Sequence, residues 1–212
     1  MNEHYVINLG RQLGSGGKEI GKRLADELGF AFYDKGLIDL ASKESGLCPE
    51  LFEKADENAS QRLLGGLFGT RLPLIAEGAY PFGAYLNNDS LFKIQSDVIR
   101  HLAEQQSCLF VGRCADYILR DHPRCCNIFI SASVEARASR LMQLHGIDRE
   151  AACHLMEKAD KRRAAYYDYY TNKKWGVASS YHLCVDSSAL GIDASIDLIK
   201  NFVLQKLGCR HP

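Results

Sequence analysis

Gly10, Gly14, Gly16, Gly17 and Gly21 crowd into the stretch GRQLGSGGKEIG at 10–21, with Ser15 and Lys18 among them. Phosphate binding needs close backbone approach and several converging N–H groups. Glycine permits both, a following helix adds the positive end of its dipole, and a hydroxyl and an ammonium complete the chemistry. Neither common phosphate-loop pattern is satisfied literally. For GxxxxGK[ST], Gly17-Lys18 is followed by Glu19, and Gln12 stands five before Gly17; for GxGxxG, Glu19 stands where the third glycine would fall after Gly14 and Gly16. Position between a strand and a helix favours a phosphate loop over a plain turn.

A second group is basic. Asp160-Lys161-Arg162-Arg163 is followed by Tyr166, Tyr167, Tyr169, Tyr170, Lys173, Lys174 and Trp175. Asp160 and Arg163, three apart on a helix, share a face. Phosphoryl transfer spreads charge over equatorial oxygens, which Arg or Lys on a mobile lid can neutralise. The alternative readings of the segment are a solvated basic face with packed tyrosines and, after it, a surface on which bases stack. Gly112-Arg113 directly follows CLFV, and an Arg at a strand's carboxyl end points into the crevice where ligands sit. Asp34, after a second short apolar run, is placed similarly and serves equally well as a helix cap.

These groups need elements to position them. Strands are expected at 4–9, 30–33, 108–111, 127–131 and 182–185. A helix through Ile20, Leu24 and Leu28 stops at Gly29, and another runs from Ser90 to Glu104 behind capping groups at Asn88, Asp89 and Ser90. The pattern turns helical again through Ala136, Arg140 and Leu141. A long helix is expected over about 148–170 with Asp148 as cap, and a closing one over 193–207. Helical segments are also expected near 48–64. Strands alternating with helices make an α/β protein with a parallel sheet and ligands at its carboxyl edge. Residues 36–90 are broken by Gly65, Gly66, Gly69, Pro73, Gly78, Pro81 and Gly83 and read as an insert. The apolar stretch 63–85 fits either core or an oligomer surface.

The 212 residues, 46% hydrophobic, suffice for one sizeable core. Lys+Arg and Asp+Glu are both 26, so the net charge of +0 supplies no global field for nucleic acid or membrane. No run reaches the roughly 18–20 apolar residues of a membrane helix. The start, MNEHYVINLG, lacks a signal-peptide pattern, so a cytoplasmic location is expected. Eight cysteines show no CxxC spacing and read as small buried hydrophobes in a reducing compartment.

GRQLGSGGKEIGKRLADELG, FYDKGLI, LFVGRCADYIL, IFISASVEARASRLM, KADKRRAAYYDYYTNKKWG and HLCVDSSALGID, in this order, resemble the cytidylate kinase-like family, a branch of the nucleoside monophosphate kinases. The resemblance spans nearly the whole chain and is weakest over about 45–88. It implies a P-loop kinase-type three-layer fold, with a five-stranded parallel sheet, helices on both faces and a helical lid. The chain would be one domain over 1–212, with an acceptor-side insert at about 36–90 and the lid at about 156–176. It implies ATP-dependent phosphorylation of CMP, dCMP or a related monophosphate, with Mg²⁺. By motif position Gly14, Ser15, Gly16, Gly17, Lys18 and Glu19 would hold the donor phosphates. Arg113 would contact the acceptor phosphate, and Asp34 and Lys35 would border the acceptor site. Lys18, Arg113, Asp160, Arg162 and Arg163 form the expected catalytic set, with Lys161 a further lid candidate, and Ser15 with waters would hold Mg²⁺.

The sequence departs from the family's established members. Aligned without gaps, their loop Lys falls on Gly17 and their Ser/Thr on Lys18. Val111 and Cys114 replace acidic residues flanking Gly-Arg, and Leu40 replaces an acceptor-binding Arg. Lys18 is expected to substitute for the displaced Lys through a loop shift. Two alternatives stay open: a nucleotide-binding sensor without turnover, and a kinase of another small-molecule acceptor. Small-molecule nucleotides are the expected partners, with no membrane and no nucleic acid. Oligomeric state is open, a homodimer being one reading.

Overall fold

Short runs of apolar residues become the strands of a sheet buried on both faces. The computed structural model describes residues 4–44 and 88–208. Its strands are β1 (Val6–Arg11), β2 (Ala31–Tyr33), β3 (Cys108–Val111), β4 (Cys125–Ser131) and β5 (Leu183–Asp186), in the order β2-β3-β1-β4-β5. Every pairing is parallel. All carboxyl ends therefore share one edge. The helices among the described residues are α1 (Gly17–Leu28), α2 (Lys35–Glu44), α3 (Asn88–Gln105), α4 (Ala115–Ile118), α5 (Val134–His145), α6 (Arg149–Thr171) and α7 (Ser187–Leu207).

Side chains alternate across the strands, and the two sets pack differently. Ile7, Leu9, Leu109, Val111, Cys126, Ile128, Ile130 and Val185 meet Ile20, Leu24 and Leu28 of α1 and Ile196, Ile199 and Val203 of α7. The opposite face carries buried Val6, Phe110 and Phe129. There α4 covers the sheet, and Phe129 meets the rings of Trp175 at 5.2 Å and Tyr181 at 4.9 Å. Both faces carry helices, as expected for this fold class.

A second cluster joins α5 to α6. Ala138 and Leu141 pack on Ala152 and Met156, and Leu13 of the glycine loop lies against them. The expected cap of α6 is present, Asp148 Oδ1 accepting from the Ala151 N–H at 2.8 Å.

Several boundaries differ from the sequence reading. β1 runs on through Gly10 and Arg11, which pair with Phe129 and Ile130. β4 begins at Cys125. The closing helix begins at Ser187 and breaks at Gly191, whose φ of 78° is non-helical. The expectations for 48–64 and 63–85 lie outside the described residues.

The chain divides into two units, Met1–Gly36 with Ile99–Pro212, and Leu37–Val98. The sheet, glycine loop and α6 belong to the first. Within the second, Gln95 Nε2 donates to Asp39 Oδ1 at 2.9 Å. Among the described residues no helix is long and apolar enough to cross a membrane, and no three His, Cys, Asp or Glu side chains group as metal ligands. Burial pushes the thiols of Cys108, Cys114, Cys125 and Cys126 up to about 12, so they are inert small hydrophobes.

Candidate functional site

The chain leaves β1 for β2 on one side of the sheet, while β4 and β5 lie on the other. Such a reversal opens a crevice beyond the carboxyl ends, and the glycine loop begins there. Gly14 and Gly16 have φ of 79° and 76°. A Cβ on Gly14 would lie 2.8 Å from the Arg137 carbonyl oxygen, and one on Gly16 would lie 2.5 Å from Ile192 Cδ1. Conformation and close packing both demand glycine.

The loop's carbonyls are turned into the protein. Arg11 O accepts from Arg163 Nη1 at 3.2 Å, and Leu13 O from Arg137 Nε at 2.7 Å. Gln12 O accepts from the Ser15 hydroxyl at 2.9 Å, Ser15 O from the Ser187 hydroxyl at 2.6 Å, and Gly16 O from the Ile20 N–H at 3.0 Å. Some amides are spent as well. Leu13 N–H donates to Asp160 Oδ1 at 2.9 Å, and Gly17 N–H to Ser15 Oγ at 3.3 Å. The N–H groups of Gly14 and Gly16 meet no acceptor among the described residues. They stand beside the start of α1, where first-turn amides lack helical carbonyl partners and the dipole is positive.

Cations and carboxylates surround this loop in pairs. Lys18 Nζ lies 2.8 Å from Asp34 Oδ2, joining the α1 start to the residue after β2. Arg140 Nη1 lies 2.9 Å from Glu19 Oε2, and a Cβ on Gly16 would lie 3.3 Å from its guanidinium carbon. Asp160 pairs with Arg137, and its Oδ1 lies 3.6 Å from Arg163 Nη1. The Arg11 side chain starts beside Gly17 and ends against Gly112: Cβ atoms there would lie 2.6 Å from its Cβ and its Nη1 respectively.

The turn after β3 is a run of left-handed residues, Gly112, Arg113 and Cys114, with φ of 80°, 57° and 55°. Non-glycine residues held this way cost about 1–3 kcal/mol each and persist where the surroundings fix them. Two tyrosines of α6 supply fixing contacts. The Arg113 guanidinium carbon lies 5.7 Å from the Tyr166 ring centroid. The Tyr167 hydroxyl donates to buried Asp116 Oδ2 at 2.6 Å. Burial pushes the Asp116 carboxyl above the ordinary carboxylate range, against the lowering effect of Tyr167. Burial also raises the Tyr166 and Tyr167 hydroxyls.

The sequence-expected residues thus separate into groups. Gly14, Ser15, Gly16, Gly17, Lys18, Glu19, Asp34, Asp160 and Arg163 gather at the loop. Arg113 lies after β3, and Lys35 opens α2 directly after Asp34. Ser15 is buried, its hydroxyl engaged with Gln12 and Gly17. Lys161 and Arg162 are exposed, and their side chains form no hydrogen bond or ion pair among the described residues. Sequence reasoning missed Arg11, Asp116, Arg137 and, as a site residue, Arg140. The neighbouring buried stripe of Ala138 and Leu141 is the one signal that Arg137 faces inward.

The family model described as "Cytidylate kinase-like family" matches residues 6–189. The crystal structure of an uncharacterized protein from Eubacterium ventriosum is 26% identical, with a TM-score of 0.70, covering 94% of this chain and 98% of that one. A shikimate kinase from Bacteroides thetaiotaomicron is 15% identical, with a TM-score of 0.51, over 97% of this chain and 99% of that one. A shikimate kinase from Acinetobacter baumannii in complex with shikimate is 14% identical, with a TM-score of 0.50, over 96% and 95%. The two shikimate kinases share the fold. Comparison with curated protein sequences finds no match.

Proposed function

The chain belongs to the cytidylate kinase-like family, and from that membership we propose that it transfers the γ-phosphoryl group of ATP to a nucleoside monophosphate, CMP or dCMP or a close relative. One observation carries the reading. The carbonyls of Arg11, Gln12, Leu13, Ser15 and Gly16 are held by the protein, while the Gly14 and Gly16 amides are left for an anion at the start of α1.

In this proposal those amides and Lys18 hold the donor phosphates. Arg113 holds the acceptor phosphate, and Arg163 neutralises charge on the group in flight. The acceptor is already an anionic nucleophile, so no strong general base is required; positioning and charge neutralisation supply the acceleration. Asp34, Glu19 and Asp160 each pair with a cation. That set fits a magnesium ion carried by nucleotide phosphates and water, with Asp34 the carboxylate beside Lys18. A contact through Ser15 would require its hydroxyl to leave the Gln12 carbonyl. Bound Mg²⁺ supplies neutralisation of the phosphate oxygens. The acceptor-side role of about 36–90, the lid role of about 156–176 and a cytoplasmic location belong to the same proposal.

The test is ADP release by the full chain with ATP and Mg²⁺ against a panel of nucleoside monophosphates and other phosphorylated or hydroxyl-bearing small molecules. Release that depends on CMP or a related monophosphate is expected. ATP binding with no acceptor-dependent release would leave a nucleotide sensor, and release with a different acceptor would reassign the substrate.

A further inference from the structure

The peptide of Leu13 sits inside a closed ring of polar contacts. Its N–H donates to Asp160 Oδ1 at 2.9 Å, its C=O accepts from Arg137 Nε at 2.7 Å, and Asp160 and Arg137 pair with each other. Both side chains are sheltered, 7% exposed for Arg137 and 16% for Asp160. The Arg137 backbone also lies against Gly14, where a Cβ would meet its Cα at 3.1 Å. Leu13 itself packs on the α5–α6 cluster. A charge pair joining two helices is thus spent on one peptide unit of the glycine loop.

We propose that Arg137 and Asp160 are positioning residues that fix the Leu13 peptide plane and so aim the next amides, Gly14 and Gly16, at the donor phosphates. This rests on the kinase reading for what is bound, but the loop geometry stands apart from it. Asp160 then acts on the loop and not on the substrate. To reach a substrate it would have to release the Leu13 N–H and leave the sheltered Arg137 without its carboxylate, a costly exchange. Arg137 contributes through the planar fork of its guanidinium, which serves a carbonyl and a carboxylate at once. A lysine can keep the charge but not both directions.

The experiment uses the full chain with Arg137→Lys and, in parallel, Asp160→Asn. Three quantities are measured: exchange of the Leu13–Lys18 amides without ligand, ATP affinity by calorimetry, and the Michaelis constants for ATP and acceptor. Faster exchange at the amides of this stretch that the protein itself bonds, Leu13, Ser15 and Gly17, is expected in both variants. ATP binding should weaken by about tenfold or more, the scale set by a displaced binding group, while the acceptor constant moves less than about twofold. Wild-type exchange and ATP affinity in folded Arg137→Lys protein would overturn the proposal. If the lysine variant does not fold, the same wild-type values in Asp160→Asn would overturn it. A wild-type chain that binds no ATP, with variants that still show the exchange difference, would sink the kinase reading and leave the positioning role standing.

Discussion

Gly14 meets two demands at once, a φ of 79° and a Cβ position 2.8 Å from the Arg137 carbonyl oxygen. In Gly14→Ala the left-handed conformation costs roughly 1–2 kcal/mol, and the backbone clash adds to it because a carbonyl cannot swing aside like a side-chain tip. Melting should therefore fall by about 2–4 °C for each kcal/mol lost, and ATP titration should detect no binding at concentrations that saturate wild type. Retained affinity would mean that this turn does not hold the phosphates. Arg163 is tested by turnover. Its Nη1 donates to Arg11 O at 3.2 Å, which places its guanidinium at the loop. Arg163→Ala should lower turnover by at least about 10²-fold, the scale of Arg contributions in phosphoryl transfer. A change below about threefold in a folded variant would remove it from the catalytic set. The glycines and Lys18 were legible in the sequence because loop chemistry restricts residue type. Arg137 was not, because one Arg on a mixed helix reads the same whether it faces water or a carbonyl.

Helix α6 carries Asp160, Arg163 and Tyr167 along one face, at spacings of three and four. The first two reach the glycine loop, and Tyr167 with its neighbour Tyr166 reaches the turn after β3. The segment expected as the lid is tied to both carboxyl-edge loops in this structure. Its start was legible from Asp148, but its docked face was not. Tyrosines beside Lys and Arg suit a solvated surface as well as a core, and only the buried Asp116 decides. Asp116 carries a consequence for stability. Burial raises its folded pKa above the unfolded value of about 3.9, so the folded state binds the proton more tightly. Stability is thus highest at and below the unfolded value and falls as pH rises through the folded one. Asp116→Asn keeps an oxygen to accept from Tyr167 and removes the buried charge. Its melting temperature should exceed wild type at pH 7, and the gap should close near pH 4. A constant gap, or a less stable variant at pH 7, would show that the charge is well compensated where it lies.

At the scale of the whole molecule, five strands were legible because each buried parallel strand is a short apolar run, while the break in α7 was hidden because Gly191 interrupts no apolar period. Charge balance concealed the site. The chain has a net charge of +0, yet Arg11, Lys18, Arg113, Arg137, Arg140 and Arg163 lie along the carboxyl edge of one sheet, several of them matched by Asp34, Glu19 and Asp160. The six cations outnumber the three carboxylates that pair with them, so the site stays net positive, and the proposed triphosphate would exchange ion pairs as it docks. Binding to the folded state alone raises stability by about 2.7 kcal/mol at a hundred times the dissociation constant, or roughly 5–11 °C in melting for a domain of this size. Salt separates this effect from general stabilisation. Screening shortens from about 30 Å at 0.01 M to about 3 Å at 1 M, so the ATP-induced shift should shrink strongly over that range. The melting temperature without ATP should move far less, because the core is apolar and the carboxylate–guanidinium pair at Arg137 is sheltered from solvent. Melting curves with and without ATP at the two salt concentrations measure both quantities. An ATP shift that ignores salt would place the nucleotide away from these cations and detach the phosphate chemistry from the β1–α1 loop.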